Sequence, residues 1–320
     1  MPMAPLNYLV SHGERAASIA TLTWGVLLIS VAVMLIVTAL VAAAVWRRKP
    51  LMAAAPGERL PLAGSAGGMQ WLWTGVGISS AVLLFTVGWT LVVLAKVNSP
   101  ASPPPLTIEV VGHQWWWEIR YLSADPGRVF TTANEIHMPT GIPVRIRLVG
   151  ADVIHSFWVP ALAGKTDMIP GQTNQTWLQA SAPGVYRGQC SEYCGVQHAR
   201  MSFLVVAQPA PQFRAWWDHQ LQSPAMPADP SAPGGGADFV AYCGSCHAVR
   251  GTDAGGIVGP DLSHLMTRAT LAAGTYPNDA AHLAAWIVDP QGMKPGNLMQ
   301  PPRIAATQLA AIRAYLGTLN

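Results

Sequence analysis

Two long runs without a charged residue constrain this 320-residue chain more than any other feature. The first extends from Ala16 to Trp46, and its centre, Thr21 to Val45, is dominated by Leu, Ile, Val and Ala. The second extends from Leu60 to Ala95, with its apolar part from about Trp71 to Leu94. Each exceeds the ~20 apolar residues that a helix needs to cross a bilayer. A composition of 51% hydrophobic and 11% charged residues is too apolar for an ordinary soluble protein and agrees with two spans. Trp46, Trp71 and Trp73 stand at the ends of the runs, where indole rings favour the membrane-water boundary. A buried core helix seldom stays uncharged over such a length. A cleaved signal peptide fits poorly, because basic residues follow the first run and Glu14 beside Arg15 precedes it.

Charge orients the chain. Arg47, Arg48, Lys49 and Arg59 against Glu58 place the net charge of +3 in the loop between the spans, which predicts a cytoplasmic loop. The segment before the first span and everything after Lys96 then face outward. Residues 105–209 carry seven basic and seven acidic side chains, and residues 234–320 carry five of each. These neutral regions exclude a nucleic-acid partner; the partner that composition demands is the lipid bilayer.

The run of prolines in Asn98-Ser-Pro-Ala-Ser-Pro-Pro-Pro105 stops the second helix. Beyond it, Thr107–Val111 and Ile142–Val149 alternate apolar with polar residues as half-buried strands do, and Trp177–Gln179, Val185–Arg187 and Met201–Val206 are shorter strand candidates. Pro-Gly pairs at 126–127, 170–171 and 183–184 mark turns. About 100 residues of this kind predict a β-sandwich or barrel. Residues 210–233 are rich in Pro, Ala, Ser and Gly and read as a linker, with a short helix over Phe213–Leu221. The last ~85 residues read as helical, with Leu309, Ile312 and Leu316 on one face of a C-terminal helix.

All four cysteines fall into two metal-type motifs, which leaves none for a disulfide. The first is Cys190-Ser-Glu-Tyr-Cys194, followed by His198 and Met201. Thiolates four apart on a loop can bridge two copper ions, and imidazole and thioether complete a site able to hold both Cu(I) and Cu(II). Asp152-Val-Ile-His155 supplies a second imidazole at a strand end. Zinc is the competing metal, and Met201 argues against it because thioether is a poor zinc ligand. The second motif, Cys243-Gly-Ser-Cys246-His247, attaches haem through two thioethers with His247 as one axial ligand. Met266, Met293 and Met299 are available as the other. His12, His113, His137, His219, His264 and His282 read as surface or packing residues.

The segments Gly112–Trp117, Asp152–His155, Lys165–Gly171 and Cys190–Met201, in this order after two spans, resemble subunit II of haem-copper cytochrome c oxidases. The resemblance implies a cupredoxin domain with a dinuclear copper A centre on His155, Cys190, Glu192 through its backbone carbonyl, Cys194, His198 and Met201. It also implies magnesium at the subunit I boundary through the Glu192 side chain, and Trp115 as the point where electrons enter. Gln70 stands where many members carry a Glu that marks proton uptake, and an amide cannot relay a proton by ionising.

Residues 234–320 resemble class I cytochromes c. Gly235 and Phe239 match that family's N-terminal helix, Ile312 and Tyr315 the helix that crosses it, and Gly259-Pro260-Asp-Leu262 the loop that orients the proximal His. Lys294-Pro-Gly-Asn-Leu-Met299 resembles the distal loop, which selects Met299, with Met293 second and Met266 as core packing. The fusion resembles subunit II of caa-type oxidases. It implies an electron-input subunit, with electrons running from haem c to copper A and on to subunit I, where oxygen is reduced with proton translocation. The implied partners are subunits I and III. A soluble or membrane cytochrome c, or a quinol-cytochrome c reductase, would be the donor. The equivalent subunit of a nitric oxide reductase and a membrane-anchored copper chaperone are the alternatives. The expected plan is an external segment (1–18), a transmembrane helix (19–46), a cytoplasmic loop (47–70), a second transmembrane helix (71–95), an all-β cupredoxin sandwich (105–209), a linker (210–233) and an all-α cytochrome c domain (234–320). The expected location is a bacterial inner membrane with the redox domains on the periplasmic side.

Overall fold

The computed structural model describes residues 6–47, 67–224 and 234–320. Most of the expected cytoplasmic loop, including Arg48, Lys49, Glu58 and Arg59, lies outside the described residues, as do residues 225–233 of the expected linker. The chain divides into two compact units, Ser18–Asn98 and the remainder.

Helices α1 (Glu14–Trp46) and α2 (Gly67–Asn98) supply the first unit, with mean hydropathies of 2.9 and 2.1 over their most apolar stretches. Both are long and apolar enough to span a bilayer. Their hydroxyls do not contradict this. Thr23 donates to the Ile19 carbonyl, Ser30 to Val26, Thr74 to Gln70 and Thr90 to Thr86, all at 2.7–2.9 Å. A hydroxyl bonded one turn back asks nothing of lipid.

The second unit opens with a β-sandwich. Its first sheet has the order β3 (Phe130–Ala133), β2 (Trp116–Leu122), β1 (Leu106–His113), β5 (Val144–Gly150), β8 (Thr173–Leu178). The other has the order β4 (Glu135–Pro139), β10 (Ser202–Gln208), β9 (Gly184–Cys190), β6 (His155–Trp158), β7 (Thr166–Met168). Strands β1 and β5, and β4 and β10, run parallel; the other pairs are antiparallel. Alternation decides which side chains fill the space between the sheets. Val144, Ile146 and Leu148 of β5 point inward while Arg145 and Arg147 point out. Trp117, Ile119 and Tyr121 of β2 do the same. Phe203 sits at the centre, 5.0 Å from the Trp117 ring and 4.8 Å from Phe157.

Five of these strands, β2, β3, β4, β6 and β7, go beyond the sequence reading. Strands of three to five residues show no usable period, and β2 is masked by its place in a run of three tryptophans. Residues 210–220 of the expected linker form helix α3 (Ala210–Gln220). Phe213 and Trp217, one turn apart, bury against the sandwich beside Tyr121 and Phe130, and Trp216 stacks on His137 at 4.1 Å. This aromatic face is what keeps the segment from being a free tether.

The C-terminal region is helical: α4 (Gly235–Tyr242), α5 (Ala280–Val288), α6 (Pro290–Met293) and α7 (Ala306–Leu316), with a two-residue hairpin pair β11 (Thr270–Leu271) and β12 (Tyr276–Pro277). Helices α4 and α7 meet through Phe239 and Tyr315, 5.5 Å apart, and Ile312, Leu316, Leu283 and Ile287 complete a second core. Asp279 starts α5 by accepting from the Ala281 and His282 amides.

Phe203→Ala is expected to destabilise the sandwich by ~3–5 kcal/mol, because a ring fully enclosed by Trp117 and Phe157 leaves a cavity that rigid strands cannot close. Chemical unfolding followed by tryptophan fluorescence measures the loss.

Candidate metal centre and haem-type pocket

Sheet pairing brings the first set of ligand atoms together. Phe157 of β6 pairs with Cys190 of β9, which sets His155 beside the end of β9. Ser202 pairs with Gln189, and the Cys190 amide donates to the Met201 carbonyl, so the loop 190–201 leaves and returns at one point. The sulfurs of Cys190 and Cys194 are 3.7 Å apart. Nδ1 of His155 is 3.9 Å from the Cys190 Sγ, Nδ1 of His198 is 3.6 Å from the Cys194 Sγ, and the Met201 Sδ is 3.8 Å from that same sulfur. The Glu192 carbonyl oxygen lies 3.2 Å from the Cys190 Sγ. All six residues expected from the sequence are therefore at one place. His155, Cys190 and Cys194 are buried, and their ligand atoms lie within 4.8 Å of one another.

Neighbours prepare these atoms. Nε2 of His155 contacts Asp152 Oδ1 at 2.8 Å, which leaves Nδ1 for the sulfurs. Burial works against charge on His155, but Asp152 and Cys190 outweigh it and raise its pKa. The hydrogen bond from Cys194 holds Cys190 far below the ordinary thiol range, and the same bond pushes Cys194 up. Gly112 of β1 gives the ring its room, since a Cβ there would stand 3.0 Å from His155 Cδ2. Two adjoining sulfurs, two imidazoles, a thioether and a carbonyl suit a soft metal, and the close sulfur pair suits two ions bridged by thiolate. The Glu192 carboxylate points elsewhere and pairs with Lys165 at 3.3 Å.

The second set lines a cavity of about 390 Å³ that includes Cys243, Cys246, His247, Met299 and Trp115, a volume in the range of cofactor sites. Nδ1 of His247 contacts the Pro260 carbonyl at 2.8 Å, so Nε2 is the nitrogen left to bind a metal. Burial lowers the His247 pKa, which keeps the ring neutral and able to ligate. A Cβ at Gly259 would stand 2.5 Å from His247 Cε1, so only glycine allows this loop to pass the ring. Burial also pushes the Cys243 thiol up to about 11, while Cys246 is exposed. Met299 lines the cavity. Met293 and Met266 are absent from the lining; the Met293 carbonyl accepts from Tyr276 Oη, and Met266 packs against the helical core. Apolar walls with two cysteines, a neutral imidazole and a thioether fit haem.

Trp115 touches both places. Its ring lines the cavity, and its Nε1 donates to the Cys194 carbonyl at 2.9 Å. It is buried, although the resemblance alone gave no hint of a cover. The sequence reading also passed over Asp152, although it stands in the motif quoted for His155, and Lys294, whose side chain is buried and brought down to about 7 by burial. A lone lysine in a loop carries no signal of this kind; an acid three residues before a ligand histidine does.

Comparison with known proteins finds matches to both the sandwich and the helical region. Residues 121–208 match the family "Cytochrome C oxidase subunit II, periplasmic domain", and residues 235–320 match "Cytochrome c". The chain is 37% identical over 253 residues to cytochrome c oxidase subunit 2 of Alkalihalophilus pseudofirmus, covering 78% of this chain and 72% of that protein. It is 35% identical over 228 residues to the protein of the same name from Bacillus sp. PS3, covering 67% and 62%. Among solved structures it is similar to the periplasmic domain of subunit II of the Bradyrhizobium japonicum cytochrome oxidase, with 33% identity, 38% of this chain and 96% of that chain covered, and a TM-score of 0.34.

Asp152→Ala is expected to weaken copper binding about 10–100-fold, because His155 loses the acceptor that fixes its ring. Competition against a chelator of known affinity measures the change; unaltered affinity would show that the ring is held by packing alone.

Proposed function

The chain belongs to the cytochrome c oxidase subunit 2 family, and on that premise we propose the finer assignment of its cofactors, donor and membrane. It is the electron-input subunit of a terminal oxidase, anchored in the membrane with outward-facing domains, and its partner is the haem-copper subunit I. In our reading it holds dinuclear copper A on His155, Cys190, the Glu192 carbonyl, Cys194, His198 and Met201. Haem c is attached to Cys243 and Cys246, with His247 and Met299 as axial ligands. When bound, these groups supply one-electron redox chemistry. The membrane is the bacterial inner membrane and the redox domains are periplasmic. Subunit III completes the complex, and a soluble or membrane cytochrome c or a quinol-cytochrome c reductase is the donor.

The observation that carries this reading is the meeting of a six-donor soft site and a Cys-Cys-His-Met cavity in one compact unit, with Trp115 touching both. The protein residues then have separable tasks. Asp152 and the Pro260 carbonyl fix which nitrogen His155 and His247 present. The Cys190–Cys194 hydrogen bond favours thiolate at Cys190 and keeps the proton on Cys194, which metal binding would release. The loop 190–201 carries five of the six donors on a frame closed by β9 and β10, so that little rearrangement accompanies a change in charge. Trp115 gives the cavity wall a hydrogen-bonded connection to Cys194. Magnesium through Glu192 would take further ligands from subunit I and would displace Lys165 from the carboxylate.

The purified complex is expected to contain two coppers and one covalent haem in this chain, with the near-infrared absorption of mixed-valence copper. A single zinc would overturn the copper A assignment. Met299→Leu is expected to lower the haem c potential and alter its spectrum, because a thioether ligand favours the reduced iron. The same effect from Met293→Leu, with Met299→Leu silent, would move the axial ligand. Consumption of oxygen against nitric oxide identifies the acceptor.

A further inference from the structure

Lys294 is 2% exposed, and no carboxylate lies within ion-pair distance of it among the described residues. A lysine is almost never buried this way unless it is paired. Its Nζ instead donates to three backbone carbonyls: Trp115 at 2.8 Å, Arg200 at 2.9 Å and Ala272 at 3.0 Å. Three acceptors match the three hydrogens of an ammonium group and favour that form against the burial that lowers its pKa to about 7. Only Ala272 belongs to the cytochrome-like region. Trp115 follows β1, and Arg200 stands between the expected copper ligands His198 and Met201. A lysine serving its own helical core would have no reason to reach two carbonyls of the sandwich.

The surrounding bonds run the same way. Gln197 Nε2 donates to the Pro295 carbonyl at 2.7 Å, and Arg200 Nη1 donates to the Met293 carbonyl at 2.9 Å. Gly296 passes close to the copper loop and the Trp115 ring, since a Cβ there would stand 3.1 Å from Val196 Cγ2 and 3.8 Å from Trp115 Cη2. The segment 293–299, which ends on Met299, is therefore suspended from the copper loop and from Trp115, with the lysine at its centre.

We propose that Lys294 is an interdomain latch, a positioning residue whose ammonium group holds the Met299 loop on Trp115 and so fixes the cytochrome region against the copper loop for electron transfer within the chain. This rests on the reading given under Proposed function. It adds a cover over Trp115, so that an external donor meets the tethered haem region before it can reach that ring.

The test uses the full oxidase complex carrying Lys294→Met, which keeps an apolar stem of similar length and removes the donors, and separately Gln197→Ala, which removes one flanking bond and leaves the lysine in place. Backbone amide exchange at residues 114–117 and 293–297 is expected to rise about tenfold or more in Lys294→Met and by a smaller factor in Gln197→Ala. Haem and copper absorption should remain, and transfer from the reduced haem region to copper should slow about tenfold or more. Exchange within about twofold of the unaltered chain in both variants overturns the latch. Faster exchange with unaltered transfer also overturns it, because the lysine would then be packing without positioning. Should Lys294→Met fail to fold, exchange and transfer in Gln197→Ala decide the question in the same way. If the unaltered complex lacks copper or haem in this chain, the functional reading fails, while the exchange comparison still decides the latch.

Discussion

The hydrogen-bond register between β6, β9 and β10 is the constraint on which the rest of the sandwich's chemistry depends. Phe157 opposite Cys190 and Ser202 opposite Gln189 bring a strand end and a twelve-residue loop to one point of the rim. A slip of one residue in β6 would turn His155 to the other face of the sheet and remove an imidazole that no neighbour can replace. The register is itself held by the core beneath it. Phe157 and Phe203, on strands either side of β9, stack on each other and meet Trp117 edge-on, so ligand geometry and hydrophobic packing are set by the same strands. This explains how a loop can carry a metal centre at all: its two ends are pinned by a sheet that has strong reasons to stay in place.

A second theme is polar groups buried with their partners already supplied. His155 is enclosed with Asp152, His247 with the Pro260 carbonyl, and Lys294 with three carbonyls. An unpaired group in any of these positions would cost about 1–3 kcal/mol or more. The spans treat polarity in the same way, since Thr23, Ser30, Thr74 and Thr90 close their hydroxyls onto their own helix. The chain thus crosses from lipid to a wet exterior without stranding a donor at these sites.

The two spans were legible because a bilayer imposes length and lack of charge, which composition displays directly. The copper and haem motifs were legible because sulfur and imidazole at short spacing have few other uses. Periodicity found β1 and β5, which are long and half-buried, while short apolar runs marked β8, β9 and β10; it missed β6 and β7, whose four and three residues are ordered by their neighbours. It also gave too little weight to Phe213 and Trp217, since a Pro- and Ala-rich context conceals an aromatic pair that buries only in three dimensions. The role of Asp152 was within reach of the motif that contains it. The position of Lys294 was not, because its partners are backbone atoms at residues 115, 200 and 272, and no local pattern links them.

That choice of partners bears on how two domains come to share one chain. Carbonyl oxygens are offered by every residue, so the sandwich presents its half of the contact whatever side chains occupy positions 115 and 200. The contact of the lysine itself therefore needs no matching side chain across the junction, whereas the flanking bonds depend on Gln197 and Arg200 of the sandwich.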